Sequence, residues 1–312
     1  MDYNRLMDIE KIKKIFAANS LPEPRSFRKI NVGFTNTVYA VDEQYILKVC
    51  SDSNNEKPFA LEARLYKRFK NELPVPQLEV FDNSKSVLSN MYILYPMIIG
   101  ENLYNVWHTY SEETRKLIVK QLCDMLRYIT YTDSREFKAL LNPVSSWRDV
   151  ILGRIRKYVA ICTKAGTLSS AHADKITHFC EQHADCLNEQ RIALVYWDAH
   201  FDNLLVEDGV IVGLLDFERT ELASIDFMLD IVKRMVESPK EYMSKYAEQF
   251  AKNEDYAKLL DWYKEYYPEL FDFEQLDRRL DFYSIAYNLK DLETRPDVQA
   301  IKENIDKVLT IN

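Results

Sequence analysis

Three oxygen-bearing side chains in the middle of the chain could together bind a divalent cation and activate a hydroxyl group. Asp198 follows an apolar run, Asn203 comes five residues later, and Asp216 ends a further apolar run. A carboxylate can orient a hydroxyl and accept its proton. One amide oxygen and one carboxylate, completed by water, suit Mg²⁺. An Asp, an Asn and a second Asp in this order perform phosphoryl transfer in kinases, where the first is the base and the other two hold Mg²⁺ on the ATP phosphates.

The segment between Asn203 and Asp216 has the pattern of a β-hairpin. Two short β-prone runs, 204–206 and 210–215, flank the dipeptide Asp208-Gly209. Asp-Gly between such runs is typical of a tight turn with positive φ angles. The hairpin would carry the amide at its start and the carboxylate at its end, and so bring the two side chains together.

This stretch resembles the aminoglycoside phosphotransferase and choline kinase family, the small-molecule relatives of protein kinases. The family usually has His-Gly-Asp, four variable residues, Asn, a hairpin, and then Ile-Asp-Trp/Phe-Glu. The resemblance implies that Asp198 is the catalytic base and that Asn203 and Asp216 are the metal ligands. Tyr196 and Trp197 stand where the family has His and Gly. The large indole departs from the pattern and puts the geometry of the acceptor site in question.

Upstream residues fit a nucleotide-binding role by the same resemblance. Lys48 lies in a predicted strand, and Glu62 lies in a helical pattern that follows it. Taken alone, such residues are typical of surface charges. In the family, the strand lysine binds the α- and β-phosphates and the helix glutamate orients it. Gly33 lies in a turn between two predicted strands, where backbone N–H groups could meet phosphate oxygens.

A predicted strand from Val87 to Tyr95 ends at Pro96 and resembles the hinge between the two lobes of a kinase. Tyr95 would then lie behind the adenine pocket. Pro96 has no N–H, but its carbonyl could accept from the adenine amino group, and the N–H of Ile98 could donate to a ring nitrogen. A proline-terminated core strand is the alternative interpretation.

Composition limits the class of protein. The 312 residues carry a net charge of −8, and the isoelectric point is near 5.3. A nucleic-acid or anionic-membrane partner demands clustered Lys and Arg, so we expect neither. No apolar run has the length of a membrane-spanning helix. The five cysteines show no Cys-x-x-Cys spacing and no secretory signal precedes them, which predicts reduced thiols in a cytoplasmic protein.

The predicted architecture is an α+β, protein-kinase-like fold with two lobes. Residues 1–98 would form a small N-terminal nucleotide-binding lobe with an antiparallel sheet, and residues 99–312 a larger, mainly helical catalytic and substrate-binding lobe. Helical patterns cover the following ranges: 2–18, 112–131, 146–164, 169–190, 225–236, 240–250, 256–267, 274–289 and 297–309. Either Asp226 or Asp230 could tie down the loop that contains Asp198.

The predicted function is transfer of the ATP γ-phosphoryl group to a hydroxyl of a small molecule, with ATP and Mg²⁺ as cofactors. A catalytically silent nucleotide-binding protein of the same fold is the alternative. A protein kinase is disfavoured because no Ala-Pro-Glu-like motif follows Asp216. The acidity of the chain and the aromatic residues of its final third lean towards a cationic, aminoglycoside-like acceptor.

Overall fold

The computed structural model describes residues 7–30 and 36–310, and its first part is built on an antiparallel sheet. The strands are β1 (Phe27–Ile30), β2 (Asn36–Val41), β3 (Tyr45–Cys50), β4 (Val80–Asp82) and β5 (Tyr92–Pro96). Their order across the sheet is β1-β2-β3-β5-β4. Because β3 lies in the centre, the backbone of Lys48 has a neighbouring strand on each side, with Val38 opposite it on β2 and Ile93 on β5.

One helix packs on each face of this sheet. Helix α1 (Ile9–Ala18) starts at Asp8, whose carboxylate accepts from the N–H of Lys11, and buries Ile12, Ile15 and Phe16 against the sheet. Helix α2 (Glu56–Phe69) covers the other face and belongs to the main core of the protein. Its buried positions include Glu62, a carboxylate among apolar neighbours that needs a cationic partner.

The chain leaves the first sheet at Pro96 and joins a second sheet five residues later, at Glu101. Strand β6 (Glu101–Asn102) pairs with β8 (Leu204–Glu207), which forms a hairpin with β9 (Val210–Leu214). A separate two-stranded ribbon consists of β7 (Ile192–Tyr196) and β10 (Thr220–Ser224). These two small sheets hold the ends of the loop 197–203 and of the segment 215–219.

Helices make up most of the remaining chain. They are α3 (Leu103–Val106), α4 (Glu112–Thr130), α5 (Trp147–Lys164), α6 (Ser170–His183), α7 (Met228–Glu237), α8 (Lys245–Glu248), α9 (Leu259–Tyr266), α10 (Leu276–Thr294) and α11 (Gln299–Thr310). Serine side chains cap the N-termini of α4, α5 and α6 by accepting from backbone N–H groups of the first turn. Helix α10 packs along α5 and α11.

The α+β, two-lobed fold predicted from the sequence is confirmed, whereas two predicted elements are wrong. The range 240–250 is not one helix, because Ser244 is extended and caps the single turn α8. The strand predicted from residue 87 begins only at Tyr92. Serine side chains before it bond to neighbouring groups, and Asn90 donates to the carbonyl of Cys50. Such local hydrogen bonds compete with a strand ladder.

Among the described helices, none combines the length and the apolar character that crossing a bilayer requires. All five cysteines are free thiols, and four of them are buried.

Candidate active site

The hairpin brings the predicted metal ligands to one end of β8 and β9. Asp208 and Gly209 form its turn with φ angles of 50° and 79°. At the open end, the N–H of Leu215 donates to the carbonyl of Asn203 over 2.9 Å. Asn203 and Asp216 are therefore close in space, as the sequence pattern predicts.

The backbone at Asp216 is left-handed, with φ at 58°. This conformation is uncommon for a residue with a side chain and is concentrated at functional sites. The N–H of Asp216 donates to the hydroxyl of Tyr66 over 2.9 Å, and the hydroxyl of Tyr196 donates to the carbonyl of Leu215 over 2.5 Å. The ring of Phe217 stacks on Tyr196 at 4.6 Å. These contacts hold the segment in place, and Tyr196 thereby acquires a structural role at a position where the related family has His.

Asp198 lies largely buried in the loop after β7. Its carboxylate is 3.4 Å from Nε of Arg219 and 3.7 Å from Nε2 of His200. Its backbone carbonyl accepts from Nδ2 of Asn203 over 2.8 Å. Burial raises the pKa of Asp198, while the charges of His200 and Arg219 lower it. The loop thus presents a carboxylate whose proton affinity is increased and whose position depends on Asn203.

Lys48 is surrounded by carboxylates from distant parts of the chain. Its Nζ lies 2.8 Å from Glu62, 2.9 Å from Glu218 and 3.1 Å from Asp216. Burial alone would lower the pKa of Lys48, but these carboxylates raise it well above its ordinary value. Burial also raises the pKa of Glu62, because the Lys48 charge only partly offsets the desolvation. The Lys48–Glu62 pair predicted from the sequence is present as a contact, and its role in nucleotide binding stays a prediction.

Two residues of this cluster were not predicted. Glu218 holds Lys48 and also accepts a hydrogen bond from Asn36 on β2. Tyr66 donates to Oε1 of Glu62 over 2.7 Å while it accepts from Asp216. The Asp-Phe-Glu string and the helical face of α2 contained both residues, but neither pattern shows which partner they meet. Together they connect the first sheet to the end of the hairpin.

The residues around Asp216 are chemically suited to a hard cation. Asn203 uses its Nδ2 in the loop, which leaves Oδ1 as the oxygen a metal could use. Carboxylate oxygens of Glu62, Asp216 and Glu218 lie within 4.8 Å of one another. Glu62 is committed to Lys48 and Tyr66, whereas the side chain of Asp216 is 44% exposed. Asp216 thus belongs both to the pair predicted from the sequence, with Asn203, and to the carboxylate cluster with Glu62 and Glu218.

The other predicted nucleotide contacts lie in the connection between the two sheets or outside the described residues. Pro96 ends β5 opposite Tyr45 and is exposed, and Ile98 is half-buried. The N–H between them, that of Met97, donates to the carbonyl of Gln44 over 2.7 Å. Gly33 lies outside the described residues.

The two candidate anchors for the loop have other partners. Asp226 is fully buried and accepts from Arg279 over 2.7 Å and from Ser224 over 2.6 Å. Asp230 pairs with Arg234 over 3.0 Å. Asp226 therefore fixes the start of α7 to α10, next to the ribbon that carries the loop.

A cleft of about 590 Å³ lies next to the loop that contains Asp198. Trp197 and Arg219, its neighbours in the loop and after the hairpin, form one side, and Tyr287 and Lys290 of α10 form another. The indole of Trp197 stacks on Phe227 at 5.7 Å, which gives the cleft a rigid aromatic wall. The size and position suit a small molecule next to the carboxylate.

Comparison with known proteins gives one family and one fold. The sequence profile described as the phosphotransferase enzyme family matches residues 26–232. An aminoglycoside phosphotransferase in complex with streptomycin and ATP has a TM-score of 0.69 at 15% identity, over 96% of this chain and 95% of that one. An ADP-bound aminoglycoside phosphotransferase has a TM-score of 0.70 at 17% identity, over 97% of both chains. The macrolide 2'-phosphotransferase of Brachybacterium faecium has a TM-score of 0.59 at 16% identity, over 97% and 99%.

Proposed function

The chain belongs to the phosphotransferase enzyme family, and we propose that it transfers the γ-phosphoryl group of ATP to a hydroxyl group of a small molecule. The observation that carries the proposal is the 3.1 Å contact between Nζ of Lys48 and Oδ1 of Asp216. A cation for phosphate oxygens and a carboxylate for a metal are the two charges that this reaction needs side by side. ATP as the donor is supported by similar structures that hold ATP or ADP.

Asp198 is the proposed base. Phosphoryl transfer has little covalent chemistry for the protein to perform, so the main task is to position the hydroxyl and stabilise charge. The loop bond from Asn203 holds Asp198, and burial keeps its pKa above that of a solvated carboxylate. A base of this kind can accept the hydroxyl proton as the bond to phosphorus forms.

Asn203 and Asp216 are the proposed Mg²⁺ ligands. When bound, Mg²⁺ would neutralise charge on the phosphate oxygens. The side chains named here hold oxygens at one end of a hairpin whose ends are joined by the Leu215–Asn203 hydrogen bond. Glu218 is close enough to Asp216 to complete the set, directly or through water.

The nucleotide base would lie against the connection between the sheets. We propose that the carbonyl of Pro96 accepts from the adenine amino group and that the N–H of Ile98 donates to the ring. Lys48, oriented by Glu62, would contact the α- and β-phosphates, and Gly33 would lie over them.

The free thiols support the expectation of a cytoplasmic protein.

The acceptor is a small hydroxylated molecule. The acidity of the chain and similar structures that hold streptomycin or gentamicin favour a cationic acceptor. The positive side chains that line the cleft weigh against this choice.

ADP release with MgATP and a panel of hydroxylated small molecules tests the proposal. Asp198→Asn should lower kcat by roughly 10²- to 10⁴-fold, because the general base is lost while the shape of the site is kept. Stabilisation of the variant by MgATP, measured as a shift in Tm, should remain close to that of the wild type.

Asp208→Asn is the matched control, because Asp208 is exposed in the turn and Asn tolerates its positive φ. If Asp198→Asn turned over like this control, Asp198 would not be the base. If the wild type bound MgATP but phosphorylated no member of the panel, the catalytically silent alternative would be favoured.

A further inference from the structure

The cleft beside Asp198 contains more positive than negative side chains. Its acidic members are Glu218, Glu221 and Asp230, and its basic members are Lys57, Arg154, Lys157, Arg219 and Lys290. This excess is opposite in sign to the net charge of −8 of the whole chain. The positive charge is therefore local to the cleft, since the chain as a whole is negatively charged.

Each acidic side chain of the cleft contacts a cation, although the lysine that Glu218 contacts is shared with Glu62 and Asp216. Glu218 contacts Lys48 at 2.9 Å, Glu221 contacts Arg154, and Asp230 contacts Arg234 at 3.0 Å. Glu221 and Asp230, each paired with its own arginine, therefore offer little uncompensated negative charge to a cationic ligand. A polycationic acceptor would enter beside several unneutralised ammonium groups, and like charges brought together in a cleft repel.

Several of the lysines have no carboxylate partner. Lys57 donates to the amide oxygen of Asn142 over 3.0 Å. Within the part of the chain that the structure describes, neither Lys157 nor Lys290 forms an ion pair. Arg219 is paired with Asp198, whose carboxylate lies 3.4 Å from its Nε.

Lys290 is the most informative of these cations. It lies on α10, half-buried, at the side of the cleft that also carries Tyr287. Burial and then the positive charge of Arg219 lower its pKa to about 8, although the carboxylates of Asp198 and Asp291 act in the opposite direction. A partly desolvated ammonium next to like charges is unfavourable unless an anion binds to it.

Trp197 provides an independent observation on the same cleft. Its side chain is 7% exposed and lines the cleft, yet its indole N–H finds no hydrogen-bond partner among the described residues. A buried donor without an acceptor costs free energy in the free protein. Because this nitrogen is inaccessible in the free protein, a ligand oxygen could reach it only after a shift of the cleft wall.

We infer that the hydroxylated acceptor of this enzyme carries an anionic group, a carboxylate or a phosphate, which Lys290 binds in the cleft beside Asp198. The inference rests on the proposed function and adds the charge class of the acceptor to it. The anionic group would pair with Lys290, with Arg219 as a further cation of the same cleft, while a hydroxyl of the same molecule faces Asp198. The reaction that supplies this acceptor must therefore yield a hydroxy acid or a sugar phosphate.

Four pyranoses that differ mainly in charge test the inference: glucosamine, glucose, glucuronate and glucose 6-phosphate. Binding to the protein saturated with ADP and Mg²⁺ is measured by calorimetry, so that phosphate cannot occupy the nucleotide site. The anionic pair should bind at least about tenfold more tightly than glucose, and glucosamine most weakly. The affinities for glucuronate and glucose 6-phosphate, compared with each other, show whether a carboxylate or a phosphate is preferred.

The variant Lys290→Met keeps most of the side-chain volume and removes the charge. It should weaken binding of the anionic pair by roughly 10- to 100-fold and leave glucose within about threefold, because one charge-assisted contact is lost. Lys175→Met, on an exposed position of α6, is the control. If Lys290→Met fails to fold, the ligand series on the wild-type protein decides alone.

Equal affinity for all four pyranoses, no binding of any of them, or a preference for glucosamine would overturn the inference. A variant with an unchanged preference for anions would do the same. The proposed function is tested separately by ADP release: turnover of glucosamine or of another cation would remove the anionic acceptor and keep the phosphotransferase. Binding of the anions without turnover of any acceptor would keep the anion site and remove the phosphotransferase.

Discussion

The ammonium of Lys48 lies 2.9 Å from Oε1 of Glu218, a contact that joins the centre of the first sheet to the segment after the hairpin. Glu62 holds the same ammonium from α2 at 2.8 Å. One cation therefore joins three parts of the chain: β3, α2 and the segment after the hairpin. Its removal should affect catalysis and stability together.

For Lys48→Met we expect kcat to fall by roughly 10²- to 10³-fold and the KM for ATP to rise, because a preorganised charge on the phosphates is lost. Lys29→Met, exposed on β1 of the same sheet, is the control and should behave like the wild type. Steady-state ADP release at varied ATP measures both parameters. A normal KM for ATP in Lys48→Met would show that the lysine does not contact the nucleotide.

The same variant should depend on pH in its stability. Without Lys48, the buried carboxyl of Glu62 has a folded-state pKa still further above its unfolded value of 4.5. A raised carboxyl pKa stabilises the fold in its protonated form, so this stability is present at low pH and is lost as the pH rises. Up to about pH 8 the Tm of both proteins should fall at a similar rate, and above about pH 8, where the wild-type carboxyl is ionised, the Tm of Lys48→Met should continue to fall. Parallel Tm curves for the two proteins above about pH 8 would contradict this account of Glu62.

Arg219 should set the acid limb of the pH–rate profile. Its positive charge lowers the pKa of Asp198, which burial raises. The base must be ionised, so activity is lost as the pH falls through this pKa. In Arg219→Gln the pKa of Asp198 rises, and the acid limb of kcat/KM should move to higher pH. Arg135→Gln, a change at an exposed arginine paired only locally with Asp133, should leave the profile in place.

The buried pair of Asp226 and Arg279 should be among the most sensitive contacts of the second lobe. Both side chains are fully buried, and Arg279 also donates to the carbonyls of Cys186 and Glu189. Arg279→Met would leave a buried carboxylate without its cation, at a cost of about 3–5 kcal/mol in the free energy of unfolding. Lys120→Met, which breaks an exposed pair, should cost less than about 1 kcal/mol. Denaturant unfolding compares the two.

Two glycines should respond to alanine in opposite directions. Gly209 has a φ of 79°, and an added Cβ would lie 2.8 Å from Cγ2 of Thr114, so Gly209→Ala should destabilise the protein by about 1–2 kcal/mol. Gly153 lies within α5, with no atom within 4 Å of an added Cβ. Gly153→Ala should stabilise the protein by about 0.5–1 kcal/mol. A stabilising Gly209→Ala would argue against the tight hairpin turn.

Local patterns predicted most of the elements. Asp208-Gly209 determines its turn through its own backbone angles, and the apolar faces of α1, α2 and α4 follow helical spacing. The strand β10 was not predicted. Its run Thr-Glu-Leu-Ala-Ser contains a charged residue and two small ones, and so lacks the apolar alternation of a typical strand.

Long-range partners were beyond such reasoning. Arg279 meets Asp226 across 53 residues, and Lys48 meets Asp216 across 168. A sequence pattern reports the face on which a charge lies, whereas the partner on the opposite element depends on how the elements pack. Family resemblance supplied Lys48, Glu62 and Asp216 together, but it could not supply Lys290, which belongs to no shared motif.

The short connection from Pro96 to Glu101 fixes the distance between the first sheet and the sheet that contains β6 and β8. At one end the N–H of Met97 is bonded to the β2–β3 turn, and at the other end Gly100 lies so close to Val212 that an added Cβ would be 2.7 Å from it. Inserting or deleting a residue in this stretch would break one of these attachments or slide β6 along β8. The spacing of the two sheets is therefore fixed by two backbone attachments, and it also determines how α2 faces α5 and α10 across the cleft.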